Sequence, residues 1–128
     1  MDRIDIFREG LKSFTGEMLK LKAARGGHSA VTMEHNAILI AGGYGANGVL
    51  NTAEIIIEFQ ECSDADNPNS CYYKVDVVSD GIPQLISSRF AHKAVFLDTK
   101  TVLLLGGFKQ GPPYLSTETA EIYNPMTL

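Results

Sequence analysis

Ala24-Arg25-Gly26-Gly27-His28-Ser29-Ala30-Val31, followed after a short gap by Ile38-Leu39-Ile40-Ala41-Gly42-Gly43, is written twice in this chain. It returns as Ser88-Arg89-Phe90-Ala91-His92-Lys93-Ala94-Val95 and then Val102-Leu103-Leu104-Leu105-Gly106-Gly107. Arg25 and Arg89, His28 and His92, and Gly42 and Gly106 are each separated by 64 positions, and Thr52-Ala53-Glu54-Ile55 recurs as Thr119-Ala120-Glu121-Ile122 at 67. Self-similarity at a fixed period marks a repeated supersecondary unit, in which each copy buries its apolar face against its neighbour.

Working outward from the repeat, β-rich apolar runs bounded by Gly, Asn and Pro predict strands near His28–Met33, Ile38–Ala41, Ala53–Phe59 and Tyr72–Val78. The second copy supplies His92–Leu97, Val102–Leu105 and Thr119–Tyr123, then stops at Asn124-Pro125-Met126-Thr127-Leu128 without a fourth strand. At the other end, Ile4-Asp5-Ile6-Phe7 is similar to Ala120-Glu121-Ile122-Tyr123, and Ser13-Phe14-Thr15 falls where a fourth strand would begin. The chain therefore divides into 1–21, the last hairpin of a preceding unit; 22–80, a complete unit with an insertion at 60–71; and 81–128, a second unit lacking its last strand. For Gly10 to Lys22 a helix with Leu11, Phe14, Met18 and Leu21 on one face is the alternative.

Arg-x-x-His-x-Ala, an apolar strand closing on Gly-Gly, a variable loop and then Ala-Glu-Ile-Tyr-Asn-Pro resembles the kelch repeat. That resemblance implies an all-β fold of four-stranded antiparallel blades belonging to an incomplete β-propeller ring. The chain carries no Trp, which such repeats usually place on the last strand, and its 64-residue spacing exceeds the roughly 50 residues of a kelch repeat. The excess lies in Gln60 to Cys71, a polar, turn-rich segment. Propellers close with about four to eight blades. About two blades imply either a piece of a longer chain, which the surplus third-strand sequence favours, or copies that complete a ring as a homo-oligomer.

Cys62 and Cys71 flank the insertion. If it joins antiparallel strands, a disulfide closes it, stabilising the fold by about 2–3 kcal/mol and implying an oxidising compartment, extracellular or periplasmic. Two free thiols in the cytosol are the other reading. C-x8-C matches no zinc spacing. Asp64, Asp66, Asn67 and Asn69 resemble a calcium loop only in composition: Pro68 stands at the third ligand place and no terminal Glu follows, so a solvated turn is expected and no metal.

Residues present in both copies are most simply explained by what every unit needs. Arg25, Arg89, His28, His92, Glu54 and Glu121 accordingly read as structural, the Arg and Glu pairing within or between units and each His satisfying a neighbouring polar group. Gly42, Gly43, Gly106 and Gly107 read as strand-end glycines with positive φ and close backbone approach, not as a phosphate loop. What differs between copies is where function is expected: the loops 44–49 and 108–114 and the insertion. Tyr44, Asn47, Phe108, Lys109, Gln110 and Tyr114 are the candidate contacts, while the matched positions of Tyr44 and Phe108 also fit packing between units.

The 128 residues are 45% apolar and 20% charged, an ordinary globular composition, with a net charge of −4. The longest apolar runs are strand-sized, against the ~20 residues of a membrane helix, and no basic patch favours nucleic acid. No catalytic residues and no cofactor are assigned. His28, His35 and His92 do not compose a copper site, and no Ser/His/Asp motif is present. The expected role is recognition of a protein partner or a glycan through the blade loops. A fragment of a kelch-propeller enzyme of oxidase or sugar-epimerase type, or a structural ring-forming subunit, are the alternatives.

Overall fold

The computed structural model describes residues 2–8 and 13–125; residues 1, 9–12 and 126–128, which the sequence places in the first hairpin and at the end of the second unit, lie outside the described residues. The fold is all-β, and its helical turns among the described residues are two 3-10 segments, Glu34–Asn36 and Pro68–Ser70. β1 (Arg3–Arg8) and β2 (Ser13–Lys20) pair antiparallel as a two-stranded sheet. Of the segment that also suited a helix, Ser13–Lys20 is a strand, because β1 supplies the ladder partner that extended backbone requires, and residues 10–12 lie outside the described residues.

The first repeat contributes β3 (Ser29–Thr32), β4 (Ile38–Ala41), the short hairpin β5 (Tyr44–Gly45) and β6 (Gly48–Val49), β7 (Ala53–Cys62) and β8 (Cys71–Val78). Strands β3, β4, β7 and β8 form one antiparallel sheet in that order. The second repeat contributes β9 (Lys93–Phe96), β10 (Val102–Leu105), β11 (Phe108–Gln110), β12 (Leu115–Ser116) and β13 (Ala120–Tyr123). Its sheet has three strands, ordered β13, β10, β9, while β11 and β12 make a hairpin matching β5 and β6.

Strand alternation puts Leu39 and Ala41 of β4 on one face with their β7 partners Ile55 and Ala53. That row is buried against Val102, Leu104 and Tyr123 of the second sheet, with Leu85 at its edge, and this is the core. The opposite row, including Ile38 and Ile56, faces Ile4 and Ile6 of β1 across a narrow cleft. Hairpin, first sheet and second sheet are thus stacked in three layers. Main-chain bonds fasten the second layer to the third: Leu85 N donates to Asn51 O (2.7 Å), Arg89 N to Leu50 O (3.2 Å), Ala91 N to Gly27 O (2.7 Å) and Gly43 N to Arg89 O (2.8 Å). Ala91 (φ 54°) adopts the left-handed conformation of its counterpart Gly27 (φ 63°).

The insertion differs from the expected loop. β7 and β8 run on through Gln60↔Tyr73, Glu61↔Tyr72 and Cys62↔Cys71, so that 60–62 and Cys71 are strand and the loop contracts to Ser63–Ser70. Directly opposed cysteines on an antiparallel pair lie within bridging distance, and Cys62 and Cys71 are joined by a disulfide. Tyr72 donates to Glu61 (3.2 Å) and Lys74 pairs with the same carboxylate (3.3 Å), lacing the arm across its strands. At the tip, the Asp64 carboxylate accepts from Asp66 N and the Asn67 side chain from Asn69 N, each at 3.0 Å, and the Ser70 hydroxyl lies 2.8 Å from Asp64 O. These oxygens serve the backbone of their own turn.

Candidate functional site

The charges that recur in both repeats, Arg25 with Glu54 and Arg89 with Glu121, are interior. Arg25 and Arg89 have fully buried side chains. Arg25 Nη1 donates to Gly42 O (2.8 Å) and Thr52 O (2.9 Å), and Nη2 to Thr52 Oγ1 (3.2 Å) and Glu54 Oε2 (2.9 Å). Arg89 repeats the pattern with Gly106 O (3.1 Å), Thr119 O (2.9 Å) and Thr119 Oγ1 (3.1 Å), and its Nε stands 3.6 Å from Glu121 Oε1. Each Glu carboxylate in turn collects main-chain amides from the segment before its repeat: Lys22 N and Ala23 N for Glu54, Ile86 N for Glu121. The first carboxylate also accepts from the Ser79 hydroxyl at 2.8 Å. Burial raises the pKa of Glu54, but the amides, the Ser79 hydroxyl and the Arg25 charge together outweigh it and hold the carboxyl below its ordinary value. Both clamps tie the strand-end Gly-Gly turn to the third strand, a structural task.

His28 and His92, identical by sequence position, part company in the structure. His92 is buried and its Nε2 lies 2.7 Å from the Ser29 hydroxyl across the gap between the sheets, whereas His28 is exposed. The Ser29–His92 couple has the separation of a nucleophile and its base, but Nδ1 of His92 meets no hydrogen-bond partner among the described residues and no carboxylate orients the ring. With both groups buried, the couple fastens two sheets. Burial, then the charges of Arg89 and His28, lower the His92 pKa from 6.5 to about 4. The unfolded chain takes up this proton near pH 6.5 and the folded chain only near 4. Stability from neutral His92 is therefore complete above pH 6.5 and is lost as pH falls towards 4, by about 3 kcal/mol in all. Urea midpoints measured at pH 7 and 5 should fall for the parent chain and fall less for His92→Gln; equal slopes would refute the assignment.

The glycines divide in the same way. A Cβ at Gly42 (φ 66°) would overlap the carbonyl oxygen of Arg89 and stand 2.8 Å from His92 Cε1, so this glycine lets the second sheet approach. At Gly106 (φ 62°) a Cβ would meet nothing within 4 Å.

The loop residues converge at the end of the stacked sheets that carries the Gly-Gly turns. Tyr44 and Phe108 each bridge back to the segment preceding the first strand of their own repeat, Tyr44 to Gly26 and Phe108 to Phe90. Because Phe90 stands where the first repeat has Gly26, one ring of the second repeat lies among the others: its centroid is 5.7 Å from Tyr44, edge to face, 5.5 Å from Phe108 and 6.3 Å from Tyr114. Tyr114 and Phe108 are 5.6 Å apart. Tyr44 is nevertheless 46% exposed and Tyr114 66%, so this cluster both joins the repeats and presents ring surface to solvent. Beside it opens a cleft of about 380 Å³, lined by Tyr44, Gly48 and Val49 of the first repeat and by Ser88, Lys109, Gln110, Gly111 and Pro112 of the second.

Of the six loop residues singled out by sequence, Tyr44, Lys109 and Gln110 line this cleft, Phe108 and Tyr114 build the aromatic cluster next to it, and Asn47 sits exposed at the tip of the β5–β6 hairpin. Phe90 and Ser88 were missed. The signal was available in the alignment of the repeats, where Phe90 replaces Gly26 and Ser88 replaces Ala24. A second cleft, at the opposite end, is lined by Met33, Ala37, Ile57 and Phe96 beneath the Glu34–Lys100 ion pair; it continues the apolar core between the sheets. Among the described residues no group of His, Cys, Asp and Glu is arranged to hold a metal ion. Neither a protein-family model nor a curated protein matches the chain.

Proposed function

We propose that the two sheets are successive blades of a kelch-type β-propeller and that the chain is a recognition module whose ligand occupies the cleft between the blade loops. Two repetitions support the architecture. The bonds from Arg to the glycine carbonyl and to the Thr carbonyl and hydroxyl recur around Gly42 and Gly106, with the Arg–Glu contact closer in the first copy. On the second sheet, Val95, Leu105 and Ile122 are exposed at the positions matched to Val31, Ala41 and Ile55, which on the first sheet pack against the next one. A further sheet of the same kind fits that face. The disulfide at the arm suits an oxidising compartment, so a site outside the cytosol goes with this reading.

The observation that carries the functional reading is the cleft itself: it is assembled from both repeats, and from the loops in which they differ rather than the clamps in which they agree. Rigid scaffolds place recognition in such loops. Amide spectra of the chain, recorded against a panel of saccharides, acidic peptides and small aromatic acids, test it. Shifts concentrated at Gly48, Ser88 and Gly111 are expected. A panel that leaves these amides unmoved, or moves those around Met33 and Phe96 instead, overturns the reading.

A further inference from the structure

We infer that the loop-end cleft binds a carboxylated saccharide, an inference that rests on the reading of this cleft as a recognition site. The lining is the argument. Ser88 and Gln110 offer a hydroxyl and an amide, groups that both donate and accept and so match a ring of hydroxyls. Gly48 and Gly111 bring main chain to the surface of the cleft, and a Cβ at Gly48 would meet nothing within 4 Å, so the floor there is open to a ligand's own polar groups. Tyr44 supplies an aromatic wall that is held rather than mobile: its ring packs on Phe90 and lies against Gly111, while nearly half of the residue stays exposed. An aromatic ring fixed in this way offers a flat apolar surface to the C–H face of a sugar at little entropy cost.

The charge of the ligand follows from Lys109. It is the single ionisable cation among the lining residues, and no Asp or Glu lines the cleft with it. One ammonium matches one carboxylate through a charge-assisted hydrogen bond. A phosphate, with more charge and three acceptor oxygens, would call for an Arg fork or a cradle of amides, and the two nearest arginines are consumed by their clamps. An apolar ligand would leave Lys109, Gln110 and Ser88 without partners. A peptide or protein interface of standard size engages about 20–30 residues on each side, whereas this cleft is lined by eight.

Titration of the full chain with glucuronate and galacturonate, against glucose and galactose at equal ionic strength, decides the matter by amide shifts. The uronates should bind more tightly than the neutral sugars, with shifts at Gly48, Ser88 and Gly111. Lys109→Gln should weaken the uronates about tenfold, the loss of one charge-assisted bond, and leave the neutral sugars unchanged, while Lys93→Gln on β9 changes neither. Equal affinity for acidic and neutral sugars, or loss of the uronate preference in Lys93→Gln instead, overturns the carboxylate. If acidic peptides or inorganic phosphate move the same amides and no saccharide does, the saccharide is overturned and the recognition site stands. If nothing moves them, both fall.

Discussion

Gly42→Ala should lower the stability of the fold by about 2–5 kcal/mol, and Gly106→Ala, its counterpart in the other repeat, by only about 1–2. Both substitutions force an L side chain into the left-handed region, which costs about 1–2 kcal/mol, because φ is 66° at Gly42 and 62° at Gly106. Only at Gly42 does the added methyl run into the neighbouring sheet, where the obstacle is a main-chain carbonyl of Arg89 and the ring of His92. Overpacking of this kind costs a further 1–3 kcal/mol or so, and the carbonyl cannot swing aside, since Arg89 O also accepts from Gly43 N. Urea denaturation of the two variants measures the difference directly. Equal losses would mean that the second sheet does not sit against the Gly42 turn.

Arg25→Met should cost about 3–5 kcal/mol, the range for stripping one partner from a buried ion pair. The Glu54 carboxylate would keep its amides and the Ser79 hydroxyl but lose the charge that neutralises it, and Gly42 O and Thr52 O would each lose a donor. A double-mutant cycle separates the ionic contribution from the rest. With Glu54→Gln as the second change, the coupling of Arg25 to Glu54, in contact at 2.9 Å, should exceed that of Arg89 to Glu121, whose closest approach is 3.6 Å. Coupling of the same size in the two cycles would argue that the carbonyl contacts, common to both, dominate.

The strand pattern of both repeats was legible because two independent signals agreed, the apolar runs and their recurrence in register. Strand ends moved by a residue or two: β9 is Lys93–Phe96 where His92–Leu97 was expected. The arm was misjudged for a physical reason. Gln60, Glu61, Cys62 and Cys71 read as part of a polar, turn-rich segment because they lie beyond the core, where strand pairing rests on cross-strand contacts and the disulfide instead of burial. The segment from Gly10 to Lys22 was ambiguous because its apolar spacing suits a helix while its place after Ile4–Phe7 suits a strand, and for Ser13–Lys20 the pairing with β1 resolves it.

The site was half legible. Divergence between the copies points to the loops 44–49 and 108–114, and the structure brings Tyr44, Phe108, Lys109, Gln110 and Tyr114 together at the cleft or its aromatic cluster. Phe90 lay inside the recurring phrase and was passed over with it, although its departure from Gly26 is what supplies the central ring. Identity of the two histidines, conversely, suggested a sameness that burial removes: a buried neighbour exists on one side of His92 and, among the described residues, no equivalent covers His28.

The bonds that hold the second sheet to the first run from amide to carbonyl, from Leu85, Arg89, Ala91 and Gly43. Such a joint is indifferent to most side chains. These bonds require only that Gly42 stay small and that the turn keep its shape, so loop positions outside the core, the Ser29–His92 couple and the aromatic cluster are free to drift in sequence without loosening them. A lineage built on this plan can explore new ligands at the cleft one residue at a time, with the cost of each trial confined to the loop that carries it.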